Sequence, residues 1–146
     1  MLIRVLLVLV LVFSIAGCNS PEKKKKVKAP DPNTMPNQSG DMAFQAFIGR
    51  LNKAVGTHDL QTLASMMTQN FGYRLDPPGE GDGVFQYWDQ NNVWPELQAV
   101  ISKGFAPKGP FMVAPPAFTT DPDYNGWRAG VTLVNGSCKF AYFVKE

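Results

Sequence analysis

A chain of 146 residues, 45% hydrophobic and 18% charged, has the composition of an ordinary globular protein rather than a fibrous or wholly disordered one. The formal net charge of +2 misleads: five lysines crowd between Lys23 and Lys28, and from Asp41 onward 8 basic residues face 10 acidic ones. The folded part is therefore mildly acidic, which excludes the basic face that nucleic-acid binding needs. Two cysteines exclude a disulfide framework.

The N-terminus opens with the positive charge of Arg4, and Val5 to Phe13 then run nine residues without a polar side chain. Small residues follow and lead into Cys18. A charged start, a short apolar centre and a small-residue end describe a secretory signal peptide. The stretch is interrupted by Ser14 and falls short of the roughly 20 apolar residues of a spanning helix. The tetrad Ile15-Ala16-Gly17-Cys18 resembles the lipobox of bacterial lipoproteins: an aliphatic residue, a small residue, Gly or Ala, then Cys. The resemblance implies a signal peptide over 1–17, cleavage after Gly17, diacylglyceryl attachment to Cys18 and acylation of the new N-terminus by a palmitate-type chain. The partner so implied is the lipid bilayer. Asn19, in place of Asp, implies the outer membrane where the organism has one and the plasma membrane otherwise. An ordinary signal peptide with a coincidental cysteine is the plainer alternative.

Residues 18–40 then read as the lipidated cysteine and a disordered tether. Pro21, Pro30, Pro32 and Pro36, the lysine run and many small polar residues leave Val27 and Met35 as the only large apolar side chains. Such a segment cannot bury enough surface to offset its ordering entropy. In polyproline form it spans up to about 70 Å. Its lysines either meet anionic headgroups or keep a spacer soluble.

From Asp41 to Glu146 the pattern predicts one globular domain. Asp41 is placed to cap a helix whose stripe is Phe44, Phe47, Ile48, Leu51 and Val55, with Gly56 ending it. Thr57 is placed to cap a second helix carrying Leu60, Leu63, Ala64 and Met67. Phe71 to Leu75 and Val84 to Trp88 read as short strands around the Pro- and Gly-rich loop Asp76 to Gly83. A third helix begins at Asn92 or Trp94, tolerates Pro95 in its first turn and stops at Gly104. Phe111 to Val113 is a strand. Arg128 to Val134 and Ser137 to Val144 flank Asn135-Gly136, a strong hairpin signal. A two-residue turn there pairs Val134 with Ser137, Leu133 with Cys138, Val131 with Phe140 and Ala129 with Tyr142. Phe143 breaks the alternation. Cys138 falls on the core side, where a thiol packs as a small hydrophobe.

The expected class is α+β: three helices packed on a curved antiparallel sheet that ends in a C-terminal β-hairpin. That element order, and the close Asn135-Gly136-Ser137-Cys138-Lys139-Phe140, is similar to the nuclear-transport-factor-2-like superfamily. The resemblance implies helices folded as a cone against a curved sheet around a pocket. A small β-rich barrel with helices prefixed is the alternative.

Chemistry is sparse. His58 is the single histidine, and its neighbour Asp59 projects about 100° away on a helix, so the two do not form a side-by-side dyad. No catalytic residue, metal set or cofactor site is assigned. Asp121-Pro122-Asp123-Tyr124-Asn125-Gly126 matches the first half of a calcium loop, but the twelfth position is Thr132 rather than a bidentate Glu. Of the chain's 10 Phe, 4 Tyr and 3 Trp, all but Phe13 lie at or after Phe44. Tyr87, Trp88, Trp94 and Trp127 cluster around loops and are the candidates for lining a ligand site, against the ordinary alternative of core packing. The sequence thus points to a membrane-anchored lipoprotein whose domain binds an envelope protein or a small apolar ligand. The alternative is a pocket enzyme using Asp89, Tyr87 or His58.

Overall fold

The computed structural model describes residues 41–146. The expected signal peptide with its cleavage at Gly17, the expected lipidation at Cys18 and the expected tether to Gly40 lie outside the described residues.

Asp41 caps the first helix as its sequence predicts. Its carboxylate accepts the N–H groups of Ala43 at 2.7 Å and Phe44 at 3.2 Å, and α1 runs Met42–Gly56. With no acidic residue in the first turn to share that role, Asp41→Ala is expected to cost about 1 kcal/mol, read as a lower urea midpoint with an unchanged slope. Phe44, Phe47, Leu51 and Val55 of the stripe are buried. The helix end differs from expectation. Gly56 stays helical, and His58 is the residue that turns left-handed, at φ 52°. Gly56 instead permits close approach: a Cβ there would meet Gln98 Oε1 at 3.3 Å.

The second helix, α2 (Leu60–Met66), is capped by Asp59 rather than Thr57. Asp59 accepts the backbone N–H of Thr62 at 3.0 Å and its hydroxyl at 2.6 Å, whereas the Thr57 hydroxyl donates back to the Lys53 carbonyl. This shifts the buried face to Leu63 and Met66, leaves Leu60 and Ala64 exposed, and makes Met67 the first residue of strand β1 (Met67–Arg74).

A short β2 (Gly79–Glu80) follows. The expected strand at Val84 to Trp88 is a helix, α3 (Val84–Gln90), entered through Gly83 at φ 91°. Aromatic and branched residues favour strands on average, but Val84 and Trp88 stand four apart and both are buried, so helical spacing wins. Helix α4 (Trp94–Ile101) begins with Pro95 in its first turn and buries Trp94, Leu97, Val100 and Ile101; Gly104 follows at φ 88°. Then come β3 (Ala106–Lys108), β4 (Phe111–Ala114), the single turn α5 (Ala117–Thr120), β5 (Arg128–Val134) and β6 (Ser137–Val144).

The fold is α+β, with five helices among the described residues in place of the expected three. Its six strands lie in the order β2-β1-β6-β5-β4-β3. The sheet is mixed, not antiparallel, because β1 runs parallel to β6. A parallel pair needs a long crossover, and here everything from β2 to β5 supplies it. The first and last long strands therefore lie side by side, second and third in the sheet.

The hairpin register follows expectation near its turn: Val134 opposes Ser137, Leu133 opposes Cys138 and Val131 opposes Phe140. It then slips. Gly130 pairs with Tyr142 and Ala129 with Phe143, so Ala141 is an extra residue in β6. A bulge of this kind resets which face the following side chains occupy. It turns Phe143 into the core, where it is fully buried, and lays Tyr142 across Gly130 on the other face. The alternation that Phe143 breaks in the sequence is thereby accounted for.

Between helices and sheet, one cluster of apolar residues includes Phe44, Leu51, Phe71, Trp88, Leu97, Phe140 and Phe143, each at most 1% exposed. No described polar or charged residue is buried.

Candidate functional site

The four aromatic candidates separate into two groups. Trp88 is core, not ligand lining. It is wholly inaccessible, and its ring meets those of Phe71, Phe85, Trp94 and Phe143 at 5.0–6.2 Å and steep angles. Edge-to-face packing of this kind is what ring quadrupoles favour. The cost is an indole Nε1–H with no hydrogen-bond partner. Trp94 is 6% exposed and also belongs to the core. Its Nε1 donates to Asp89 at 2.7 Å, tying α4 to α3, and its outer side stacks on the His58 imidazole at 4.4 Å.

Tyr87 and Trp127 are half-buried, and the fold brings them to one open groove of about 470 Å³. The walls come from four separate places in the chain. Tyr73 and Arg74 end β1 and are followed by Leu75 and Asp76; Tyr87 stands on α3; Trp127 precedes β5; Lys145 and Glu146 follow β6. Parallel pairing of β1 with β6 puts the ends of both strands at the same edge of the sheet, which is why Arg74 and Lys145 share a groove.

The geometry is aromatic below and charged at the rim. The Tyr73 and Tyr87 rings lie 5.3 Å apart at 46°, and the Arg74 guanidinium sits 5.8 Å from the centre of the Tyr87 ring. Arg74 is steadied by an Nε–H bond to the Pro77 carbonyl at 2.6 Å. Trp127 stacks on buried Phe143 at 4.8 Å and 14°, so the core itself fixes its plane. Glu146 pairs with Arg128 at 2.8 Å. Leu75 adds an exposed apolar side chain. Such an arrangement can hold a flat ligand by stacking and read its polar edge with groups of both signs.

Sequence reasoning found Tyr87 and Trp127 but missed Tyr73, Arg74, Leu75, Asp76, Lys145 and Glu146. Only the pairing of β1 with β6 would have signalled them.

The residues of the enzyme alternative are not assembled. His58 lines a different, smaller groove with Trp94, Asn92 and Gln98, while Asp89 is engaged by the Trp94 indole. Asp59 makes no dyad with His58; its hydrogen bonds from Thr62 hold its carboxyl below the usual range. At the calcium-like stretch, the Asp121 carboxylate accepts the Asp123 backbone N–H at 3.0 Å, a turn of the ordinary Asx kind. Among the described residues no group of three His, Cys, Asp or Glu is arranged to hold a metal ion. Cys138 is half-buried and packs against the core. Burial, and secondarily the Asp41 carboxylate, push its thiol up, away from the reactive thiolate. No helix among the described residues is long and apolar enough to cross a membrane.

Comparison with known families, curated proteins and solved structures finds no match to this chain in any of the three.

Proposed function

We propose that this chain is a lipid-anchored lipoprotein of a bacterial cell envelope whose α+β domain is a binding module working through its surface groove. One observation carries the binding role: a cluster of buried aromatic and aliphatic side chains occupies the space between helices and sheet, while Tyr73, Tyr87 and Trp127 gather, partly exposed, around an open groove. A pocket enzyme would instead keep an ionisable group at the base of an enclosed cavity. The helix–helix–strand opening and the terminal hairpin support a likeness to the nuclear-transport-factor-2-like superfamily, in a form whose central pocket is filled.

The anchor rests on Ile15-Ala16-Gly17-Cys18. Acyl chains on Cys18 contribute about 0.8 kcal/mol per buried methylene, and two or more chains hold a protein stably on a membrane. Asn19 favours the outer membrane in an organism that has one. The tether then sets how far the domain stands from the bilayer.

The test compares the full-length protein with its Cys18→Ser variant in native cells. Wild-type protein is expected in the membrane fraction, with an intact mass that includes acyl chains on Cys18 and lacks residues 1–17. The variant is expected to leave the membrane. A variant that stays membrane-bound, or a native N-terminus other than acylated Cys18, overturns the anchor. Trp127→Ala and Tyr87→Ala, checked for an unchanged melting profile, are expected to reduce co-purification of an envelope component; equal recovery overturns the role of the groove.

A further inference from the structure

We infer that the groove of Tyr73, Tyr87 and Trp127 takes the pyranose rings of a glycan, an inference that rests on the binding role proposed above. A pyranose presents a flat face of C–H bonds and a rim of hydroxyls, each both donor and acceptor. A site for it needs aromatic surface beneath and polar groups of both kinds around. The groove has both.

One face of Trp127 is taken by Phe143, and the residue still lines the groove. Among the described residues its Nε1–H, the Tyr87 hydroxyl, the Lys145 ammonium and the Asp76 carboxylate make no hydrogen bond to protein and are left for a ligand. Arg74 spends only its Nε–H on Pro77. Donors and acceptors thus converge on the same aromatic floor.

Charge narrows the class. Arg74 and Lys145 face the Asp76 carboxylate, while Glu146 is already paired with Arg128, so the rim keeps a small positive excess beside a carboxylate rather than the strong field a polyanion needs. An aliphatic ligand would strip water from four charged groups with nothing to replace it. A peptide adding itself as a strand finds poor edges: β2 is two residues long and β3 carries Pro107. A volume of about 470 Å³, open along one side, suits a short stretch of linked sugar rings. A proline-rich peptide, which also docks on aromatic grooves, is the competing occupant.

The experiment uses the full-length protein in a sugar-free zwitterionic detergent, with chitotetraose, cellotetraose and decaproline as probes, read by calorimetry and tryptophan fluorescence. At least one oligosaccharide is expected to bind saturably. Trp127→Ala and Tyr87→Ala are each expected to weaken it by about tenfold, equivalent to about 1.4 kcal/mol. Trp127→Phe, which keeps a ring in place, retains most of the affinity, and Leu60→Ala on exposed α2 leaves it unchanged. Failure of both sugars to bind the wild-type protein overturns the inference, as does sugar binding that survives Trp127→Ala in a folded variant. Binding of decaproline alone, lost in Trp127→Ala, also overturns it while leaving the binding module standing. If no probe binds and Trp127→Ala does not alter envelope co-purification, both readings fall together.

Discussion

Trp88→Ala is expected to destabilise the domain by about 3–5 kcal/mol, the range for removing a large aromatic from a packed core. That is a large part of the roughly 5–15 kcal/mol a domain commands in all. Trp88 is wholly buried and its ring touches four other aromatic rings drawn from β1, α3, α4 and β6. Truncation leaves a cavity that those elements cannot close without moving relative to one another. The groove should suffer with the core, because Trp127 is oriented by Phe143 and Phe143 packs against Trp88. Trp88→Phe is expected to cost much less. It opens a smaller cavity and also removes the unpartnered Nε1–H, whose burial costs about 1–3 kcal/mol. Urea denaturation of the three proteins checks the order. A Trp88→Phe variant as damaged as Trp88→Ala would overturn this order.

The second large effect is expected at Gly130. An added Cβ would run into the ring of Tyr142, with Cδ1 at 2.8 Å and Cε1 and Cζ closer still. The tyrosine ring has to shift, and Phe111 meets it edge-on at 5.3 Å, so the shift gives up that contact. Gly130→Ala is therefore expected to cost about 1–3 kcal/mol, the range for overpacking. In a Tyr142→Ala background the same change should be nearly neutral, because the clash has gone. The coupling measured across the four proteins is the decisive quantity. If Gly130→Ala costs as much without Tyr142 as with it, the cause lies in the backbone of β5 instead.

Tyr142 also links stability to pH. Burial pushes its phenol up to about 12 from 10.0, against a smaller opposing pull from Arg128. The unfolded chain releases this proton near pH 10 and the folded one near 12, so between those values the unfolded state binds fewer protons. Stability is then full below pH 10 and falls as pH rises through about 12. Tyr142→Phe is expected to flatten this alkaline limb. A Cys138→Ala, Tyr124→Phe background is the one to use, since burial also pushes up the Cys138 thiol and the Tyr124 phenol. An unchanged limb would place the loss elsewhere.

Local rules carried much of the fold. Asp41 capping, the α1 stripe, Pro95 at the start of α4, the stop before Gly104 and the Asn135-Gly136 turn are each decided within a few residues, and each could be read from the chain. Errors arose where two local choices were close. Thr57 and Asp59 both could cap α2, and the carboxylate with its two Thr62 bonds prevailed. Val84 to Trp88 suits a strand by residue type and a helix by spacing, and burial of Val84 with Trp88 decided for the helix. The Ala141 bulge left a single trace in the sequence, the misplaced Phe143.

The candidate site was half legible for a similar reason. Aromatic residues near loops drew notice to Tyr87 and Trp127, but the same rule put Trp88 and Trp94 beside them, and composition cannot say which rings a core will absorb. By itself the sequence determined the α+β class and the end of the hairpin, both set by neighbours along the chain. Tertiary structure alone decided that β1 lies parallel to β6, that Trp88 fills the centre and that Arg74 and Lys145 meet across a groove. The strand pairing and the groove depend on contacts between residues some seventy positions apart, and the place of Trp88 on rings from four separate elements, whose energies no local pattern encodes.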